Sequence, residues 1–574
     1  MTTGSSIVHQ TTASPLAGKP APASILVNVP ALITAYYAEH PHPDEAAQRV
    51  SFGTSGHRGT SFTLSFNEDH VLAIAQAICL YRRASGIDGP LFLGWDTHAL
   101  SEPARISVLE VLAANDVAVM VDVHDNVTPT PVISRAIVTY NRQRTTGLAD
   151  GIVVTPSHNP PEYGGLKYDP PSGGPADSAV TDWIQGKANA LLEDNLRGIS
   201  RMPLARVQRA ANIHRVDYLD AYVGDLANVI DMSAIRGSTL SVGIEPLGGA
   251  SLRYWEAIAE RYGVELTVVN SSVDPTFGFM DADRDGAIRM DPSSPYAMQR
   301  IIDARYEFDL VIANDPDADR YGVVTNESGL LPANHSLAAA VWYLFRHRPE
   351  WPHSAAVGKT IATSSIIDRV AARLGRRVVD VPVGFKYFVE GLRDGTLGVA
   401  GEESAGGSFL RREGGVWCTD KDGIIMGLLA MESMACTDRD PGAQYDALVA
   451  DLGDSFYARI DVPASAAQKR ALSRLRPSDV AAQSLADDAI QSVVTTASGN
   501  HEPIGGIKVA TEHGWFVVRP SGTEAVYKLY AESFRGPMHL WRIQSEAGAI
   551  IQAAIAIGEE REVIGRAATL ARAR

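Results

Sequence analysis

Cysteine is nearly absent from this 574-residue chain: Cys79, Cys418 and Cys436 are its three, far apart and without a CxxC or Cys/His pairing. That spacing excludes a disulfide framework and a cysteine-based zinc site, and points to reduced, buried thiols. No apolar run approaches the roughly 18 residues that cross a bilayer, so no membrane partner is expected. Positive charge is also short, with 51 Lys and Arg against 67 Asp and Glu and a net charge of −16. Such a field repels nucleic-acid phosphates, so no nucleic-acid partner is expected, and an anionic ligand must enter a locally basic cleft. The first 30 residues are rich in Ser, Thr, Ala and Pro and lack a basic segment followed by an apolar one. They read as a flexible arm of a cytoplasmic protein, or one that docks on a neighbouring subunit. A GxSxG elbow is missing, which disfavours an α/β-hydrolase triad. Gly358-Lys359-Thr360 resembles the end of a phosphate-binding P-loop, but the glycine needed five residues earlier is His353.

What is present is an alternation of apolar runs and helical periods. Val71, Ala75 and Ile78 repeat at helical period from Asn67 to about Arg83, behind Ser65 and Glu68 at capping-box spacing. The run Leu91–Trp95 follows, then a helical stretch near Arg105–Ala114 and a strand-like Val117–Val123. The rhythm returns at Ser241–Ile244, Leu252–Tyr262 and Glu265–Val269, at Phe308–Ala313, and at Lys359–Ala362, Ile366–Leu374 and Val378–Val381. That is α/β architecture, and the length implies about four domains. After the charged stretch Cys436–Gln444 come a helix and the strand-like runs Gly506–Val509, Gly514–Val518 and Ala525–Ala531, which read as a separate α+β domain. The expected division is a flexible arm (1–30), then domains over 31–205, 206–325, 326–445 and 446–574.

Four loops carry chemistry. In Thr155-Pro156-Ser157-His158-Asn159-Pro160, two prolines hold the backbone turned around one hydroxyl and one imidazole, which suits a nucleophile or an ordinary surface turn. In Asp315-Pro316-Asp317-Ala318-Asp319-Arg320, three carboxylates at alternate positions follow an apolar strand. Two such charges about 4 Å apart repel by roughly 4 kcal/mol at an effective dielectric of 20, so convergence on one point implies a hard cation such as magnesium. A solvated acidic turn is the alternative. Asp281, Asp283, Asp285 and Gly286 match the first half of an EF-hand loop, but position twelve is Pro292 where a glutamate is required. Gly401-Glu402-Glu403-Ser404-Ala405-Gly406-Gly407 suits sugar hydroxyls or a plain turn. Arg519-Pro520-Ser521-Gly522-Thr523-Glu524 offers a guanidinium, hydroxyls and backbone N–H groups to a phosphate.

Taken together and in this order, these loops resemble those of the α-D-phosphohexomutase family, from about Ser51 onward. The resemblance implies three related mixed α/β domains plus a C-terminal α+β domain around a central cleft. It implies that Thr155–Pro160 is a phosphoserine loop with Ser157 as phosphoryl carrier, and that Asp315, Asp317 and Asp319, with Ser157, hold Mg²⁺. Arg58, in Gly53–Gly59, would face the phosphoserine, and Arg320 would neutralise phosphoryl charge. Lys167 is the expected base, requiring a pKa lowered by neighbouring cations, with His158 as the alternative base or a group orienting Ser157. Gly384, Glu402 and Ser404 would contact the sugar, Lys421 the sugar or a phosphate, and Arg519, Ser521, Gly522 and Thr523 the substrate's phosphate. Glu403 resembles the glucose-specific version of the sugar loop. The implied reaction interconverts glucose 1-phosphate and glucose 6-phosphate, with glucose 1,6-bisphosphate as intermediate and activator. The resemblance also implies a homodimer, with a monomer as the alternative.

Overall fold

The computed structural model describes residues 13–53, 55–522 and 525–572, those from 558 on as backbone alone. The chain forms two compact bodies, one made of Ala13–Ala356 and Gly384–Gln444, the other of Val357–Val383 and residues from Tyr445 on.

The first body opens with a seven-stranded mixed sheet. Its strands are β1 (Phe52–Gly53), β2 (Gly56–Thr60), β3 (Leu91–Trp95), β4 (Val119–Asp122), β5 (Asp150–Val154), β6 (Tyr163–Asp169) and β7 (Ile213–Val216), in the order β1-β2-β6-β5-β3-β4-β7. Strands β5, β3, β4 and β7 are parallel neighbours, whereas β6 pairs antiparallel with both β5 and β2. Every residue of β3 and β5 is buried, as expected for strands covered on both faces by helices. The helix Glu68–Ala84 buries Val71, Leu72, Ile74, Ala75 and Ile78 in this core. Its cap differs from the expected one. His70 Nδ1 accepts from Asn67 N at 3.1 Å, while Ser65 is taken by Thr60, donating its hydroxyl to the carbonyl and accepting from the amide.

A second sheet, in the order β12-β11-β10-β8-β9, uses β8 (Val242–Glu245), β9 (Thr267–Val268), β10 (Leu310–Asn314), β11 (Tyr321–Thr325) and β12 (Gly329–Leu330). β10 runs parallel to β8 and returns through a tight turn into antiparallel β11. Residues 14 to 26, part of the segment expected as a flexible arm, lie against this unit instead. Ser14 N donates to Arg284 O at 2.9 Å, Gly18 N to Ala282 O at 2.8 Å and Ala21 N to Met280 O at 3.1 Å, and Ile25 and Leu26 pack on a cluster containing Phe277, Met280 and Met298. The polar composition misled because backbone groups and a few apolar side chains, rather than an apolar stripe, make the attachment.

The expected third domain contributes to both bodies. β13 (Ala356–Thr360) and β14 (Val378–Val381) pair in parallel, and their connecting helix Ile366–Arg373 belongs with the C-terminal body. β15 (Leu397–Glu402) and β16 (Gly406–Phe409) form an antiparallel hairpin in the first body, followed by the buried helix Gly423–Thr437.

In the second body, β17 (Phe456–Pro463), a small hairpin of β18 (Ser484–Leu485) and β19 (Asp488–Ala489), β20 (Ser492–Thr496), β21 (Pro503–Ala510), β22 (Gly514–Pro520) and β23 (Val526–Ser533) precede the helix Pro537–Arg572. The five longer strands form an antiparallel sheet, β17-β23-β22-β21-β20, whose alternating Val509, Phe516, Val518, Leu529 and Ala531 face that helix through Ile543, Ala547 and Ile551. Among the described residues no helix is long and apolar enough to cross a membrane.

Candidate active site

The turn between β5 and β6 carries Ser157. Thr155 N donates to Gly165 O at 2.9 Å across the hairpin, and a Cβ on Gly165 would run into the Thr155 carbonyl oxygen, so only glycine allows the loop to close so tightly. Ser157 sits at φ 60°, in the left-handed region that costs a non-glycine residue about 1 kcal/mol or more. Its N–H donates to Thr155 Oγ1 at 2.8 Å, and its hydroxyl donates to Asp315 Oδ2 at 2.7 Å, with His158 Nδ1 3.3 Å away.

Asp315 comes from the turn between β10 and β11, where Ala318 takes φ 54° and Arg320 N donates to Asp315 Oδ1 at 2.9 Å. One oxygen from each of Asp315, Asp317 and Asp319 lies within 4.8 Å of the others, and all three residues are buried. Part of the repulsion is met by cations. Lys167 Nζ lies 2.6 Å from Asp317 and 3.0 Å from Asp319, Lys421 Nζ is 3.1 Å from Asp319, and Thr130 donates to Asp317 at 2.6 Å. Even so, Asp317 Oδ1 and Asp319 Oδ1 are buried without a hydrogen-bond partner among the described residues. Burial pushes the Asp315 carboxyl well up, and Asp317 and Asp319 push it further. Burial works against Asp319 too, but Lys167, Lys421 and Arg320 outweigh it and hold that carboxyl well below the usual range. Converging buried oxygens with two unsatisfied atoms fit a hard divalent cation.

The two expected bases diverge. Burial, then Arg320, Arg58 and Arg289, push His158 well below the ordinary imidazole range, so it is neutral. Lys167 was expected to have a lowered pKa. Burial acts in that direction, but Asp317 and Asp319 overcome it and raise the pKa, so the side chain is an ammonium. Arg58, on β2 opposite Gly165, donates to Asn159 Oδ1 at 3.0 Å and so braces the Ser157 loop.

Beside this centre, Glu402 ends β15 and accepts from Gly384 N at 3.1 Å, Gly384 standing at φ 136°. Burial raises the Glu402 carboxyl to about 7, with Lys421 opposing the shift. Ser404 lies half-buried in the β15–β16 turn, and Tyr321 N donates to Ala405 O at 3.0 Å, which ties that turn to the Asp315–Arg320 hairpin. Lys421 runs past Gly406, where a Cβ would collide with its chain.

In the second body, Arg519 is half-buried at the end of β22, Ser521 is buried and Gly522 is exposed at a turn closed by Ser521 N donating to Val526 O at 2.9 Å. Thr523 lies outside the described residues. Thr130, Asp96 and His98 escaped the sequence reading. For the last two a signal existed, because they follow β3 directly, at the carboxyl end of a parallel strand where α/β sheets place their sites.

Comparison with known proteins agrees along the chain. Family profiles described as phosphoglucomutase/phosphomannomutase, alpha/beta/alpha domains I, II and III, match residues 49–194, 220–329 and 332–452, and that family's C-terminal domain matches 472–546. A phosphoglucomutase of Komagataeibacter xylinus is 56% identical over 543 residues, covering 95% of this chain and 98% of that one. Phosphoglucomutase 1 of Saccharomyces cerevisiae is 27% identical over 83% of this chain and 87% of its own. A phosphoglucomutase/phosphomannomutase family protein from Burkholderia thailandensis shares the fold at TM-score 0.67 and 21% identity, over 89% of this chain and 98% of its own. Parafusin from Paramecium, in its open form, does so at TM-score 0.67 and 18% identity, over 90% of this chain and 96% of its own.

Proposed function

The chain belongs to the phosphoglucomutase/phosphomannomutase family, and on that premise we propose that it interconverts α-D-glucose 1-phosphate and glucose 6-phosphate through a phosphoserine at Ser157 and glucose 1,6-bisphosphate. The observation that carries this reading is the Ser157 hydroxyl 2.7 Å from Asp315, within a buried triad of carboxylates. The same premise carries the finer readings: magnesium as the ion, the cytoplasm as the compartment and a homodimer as the assembly.

Asp315, Asp317 and Asp319 would hold the ion, together with an oxygen at Ser157. When bound, it supplies positive charge for the phosphoryl oxygens. Phosphoryl transfer depends on positioning and on neutralising charge at those oxygens, and Arg58 and Arg320 add to that. When Ser157 attacks the bisphosphate, its Oγ–P bond forms, the sugar O–P bond breaks and the serine proton must leave. Neutral His158 is placed to take that proton, and it returns one to Oγ in the reverse direction. Lys167, held as an ammonium, gives the departing sugar oxygen its proton, and the amine left behind takes the proton of the sugar hydroxyl in the reverse direction, while His158 serves Ser157. Glu402 and Ser404 would bind sugar hydroxyls, with Gly384 and Lys421 beside them, and Arg519, Ser521 and Gly522 the phosphate that is not transferred. Both ends of the bisphosphate must use the same two sites in turn.

The test is a coupled assay with magnesium, a trace of glucose 1,6-bisphosphate and glucose 1-phosphate, beside mannose 1-phosphate and glucosamine 1-phosphate. Turnover of glucose 1-phosphate well above the other two is the expected result. Preference for another sugar would overturn the specificity read from Glu403, and no turnover of any of them would overturn the reaction.

A further inference from the structure

Asp96 follows β3 at once, and its carboxylate receives three hydrogen bonds and meets one imidazole nitrogen. His98 N donates to Oδ1 at 3.1 Å and Ser101 Oγ to Oδ1 at 2.5 Å, while Thr155 Oγ1 donates to Oδ2 at 2.7 Å and His98 Nδ1 lies 2.8 Å from Oδ2. Burial works against the charge on Asp96, but His98 and the hydroxyls of Ser101 and Thr155 outweigh it and hold the carboxyl below its usual range, so Asp96 is ionised and faces His98 as an acceptor. The other ring nitrogen of His98, Nε2, lies 3.0 Å from the carbonyl oxygen of Asn159, which can only accept. Both nitrogens therefore face acceptors. A neutral imidazole has one N–H and would set a lone pair against one of them, and with both side chains at 0% exposure no water can relieve the clash.

We propose that His98 is a buried imidazolium at neutral pH and a positioning residue for phosphoryl transfer, holding the Ser157 loop from both sides through one ion pair with Asp96. On one side His98 grips the Asn159 carbonyl, in the residue whose side chain also receives Arg58 at 3.0 Å. On the other side Asp96 orients Thr155, whose oxygen accepts the Ser157 N–H at 2.8 Å. The left-handed backbone at Ser157 is thus flanked by two residues, Thr155 and Asn159, that the same charged pair holds. Burial opposes the charge on His98, and Asp96 outweighs it, so its pKa is raised; Asp317 contributes in the same direction, and the Phe277 ring, with its centroid 5.0 Å away, brings no charge.

The role rests on Ser157 as phosphoryl carrier, but the protonation state does not, so neutron diffraction from wild-type crystals near pH 7.5 tests it independently of activity. Deuterium on both ring nitrogens of His98 is expected; deuterium on only one overturns the proposal. In kinetics, His98→Gln keeps a donor but loses the charge, and kcat should fall roughly 10- to 100-fold while KM for glucose 1-phosphate stays within about threefold. An unchanged kcat, or a loss confined to KM, would overturn the positioning role.

Discussion

The chain carries the pattern Asp-x-Asp-x-Asp twice, at Asp281–Asp285 and at Asp315–Asp319, and the two copies have opposite fates. In the first, each carboxylate is used up nearby. Asp281 accepts from Arg300 N at 3.0 Å, Asp283 from Arg284 N and the Ser294 hydroxyl, and Asp285 from Ala287 N at 3.0 Å and from the Arg289 guanidinium at 2.9 and 3.1 Å. In the second, the hairpin brings an oxygen of each together, buries all three residues and leaves two oxygen atoms without hydrogen-bond partners among the described residues. Spacing alone therefore does not make a cation site. What makes it is a strand–turn–strand that points the carboxylates inward, away from solvent, where Arg320 N reaches Asp315 but Asp317 Oδ1 and Asp319 Oδ1 find no donor among the described residues.

Each expected effect bears on that contrast. Ser157→Ala should lower turnover at least about 10⁴-fold in the coupled assay while circular dichroism and thermal unfolding stay near wild type, because the nucleophile goes but the loop's attachments remain. Asp319→Asn should cost roughly 10²- to 10³-fold in kcat and weaken magnesium binding measured by calorimetry. Magnesium at about 100 times its dissociation constant should stabilise the wild type by about 2.7 kcal/mol, and Asp319→Asn by much less at the same concentration. Glu402, raised from 4.5 to about 7 by burial, contributes stability that is present below pH 4.5 and lost as pH rises through about 7. Glu402→Gln should therefore gain in melting temperature relative to wild type between about pH 5 and pH 8, and an equal difference at both would contradict the shift. The smallest effect belongs to the first acidic copy: Asp283→Asn should leave kcat within about twofold and cost about 1 kcal/mol in unfolding experiments.

Periodicity made much of the scaffold legible. The wholly buried run of β3, the helix Leu252–Tyr262 and β14 stand where apolar spacing put them, whereas β13 begins three residues before the expected Lys359–Ala362. The convergence of the three aspartates after an apolar strand was also legible as one of two readings, the other being a solvated turn, which their burial excludes. What was hidden depends on contacts that no local pattern encodes. Thr130 meets Asp317 from 187 residues away, and Lys167 meets the same carboxylate from 150 away. The Lys167 shift thus followed from strand order rather than from its neighbours in sequence. The attachment of residues 14–26 was hidden for a similar reason, being made by backbone donors.

The central claim is that the phosphoryl group rests on Ser157 and that the aspartates serve a cation. Its most direct test is to incubate the enzyme with glucose 1,6-bisphosphate labelled in its phosphates, quench in acid and map the labelled peptide. Acid-stable label on Ser157 is the expected result. Label that is lost in acid, or that maps to Asp315, Asp317 or Asp319 as an acyl phosphate, would contradict the account and make the acidic loop the nucleophile.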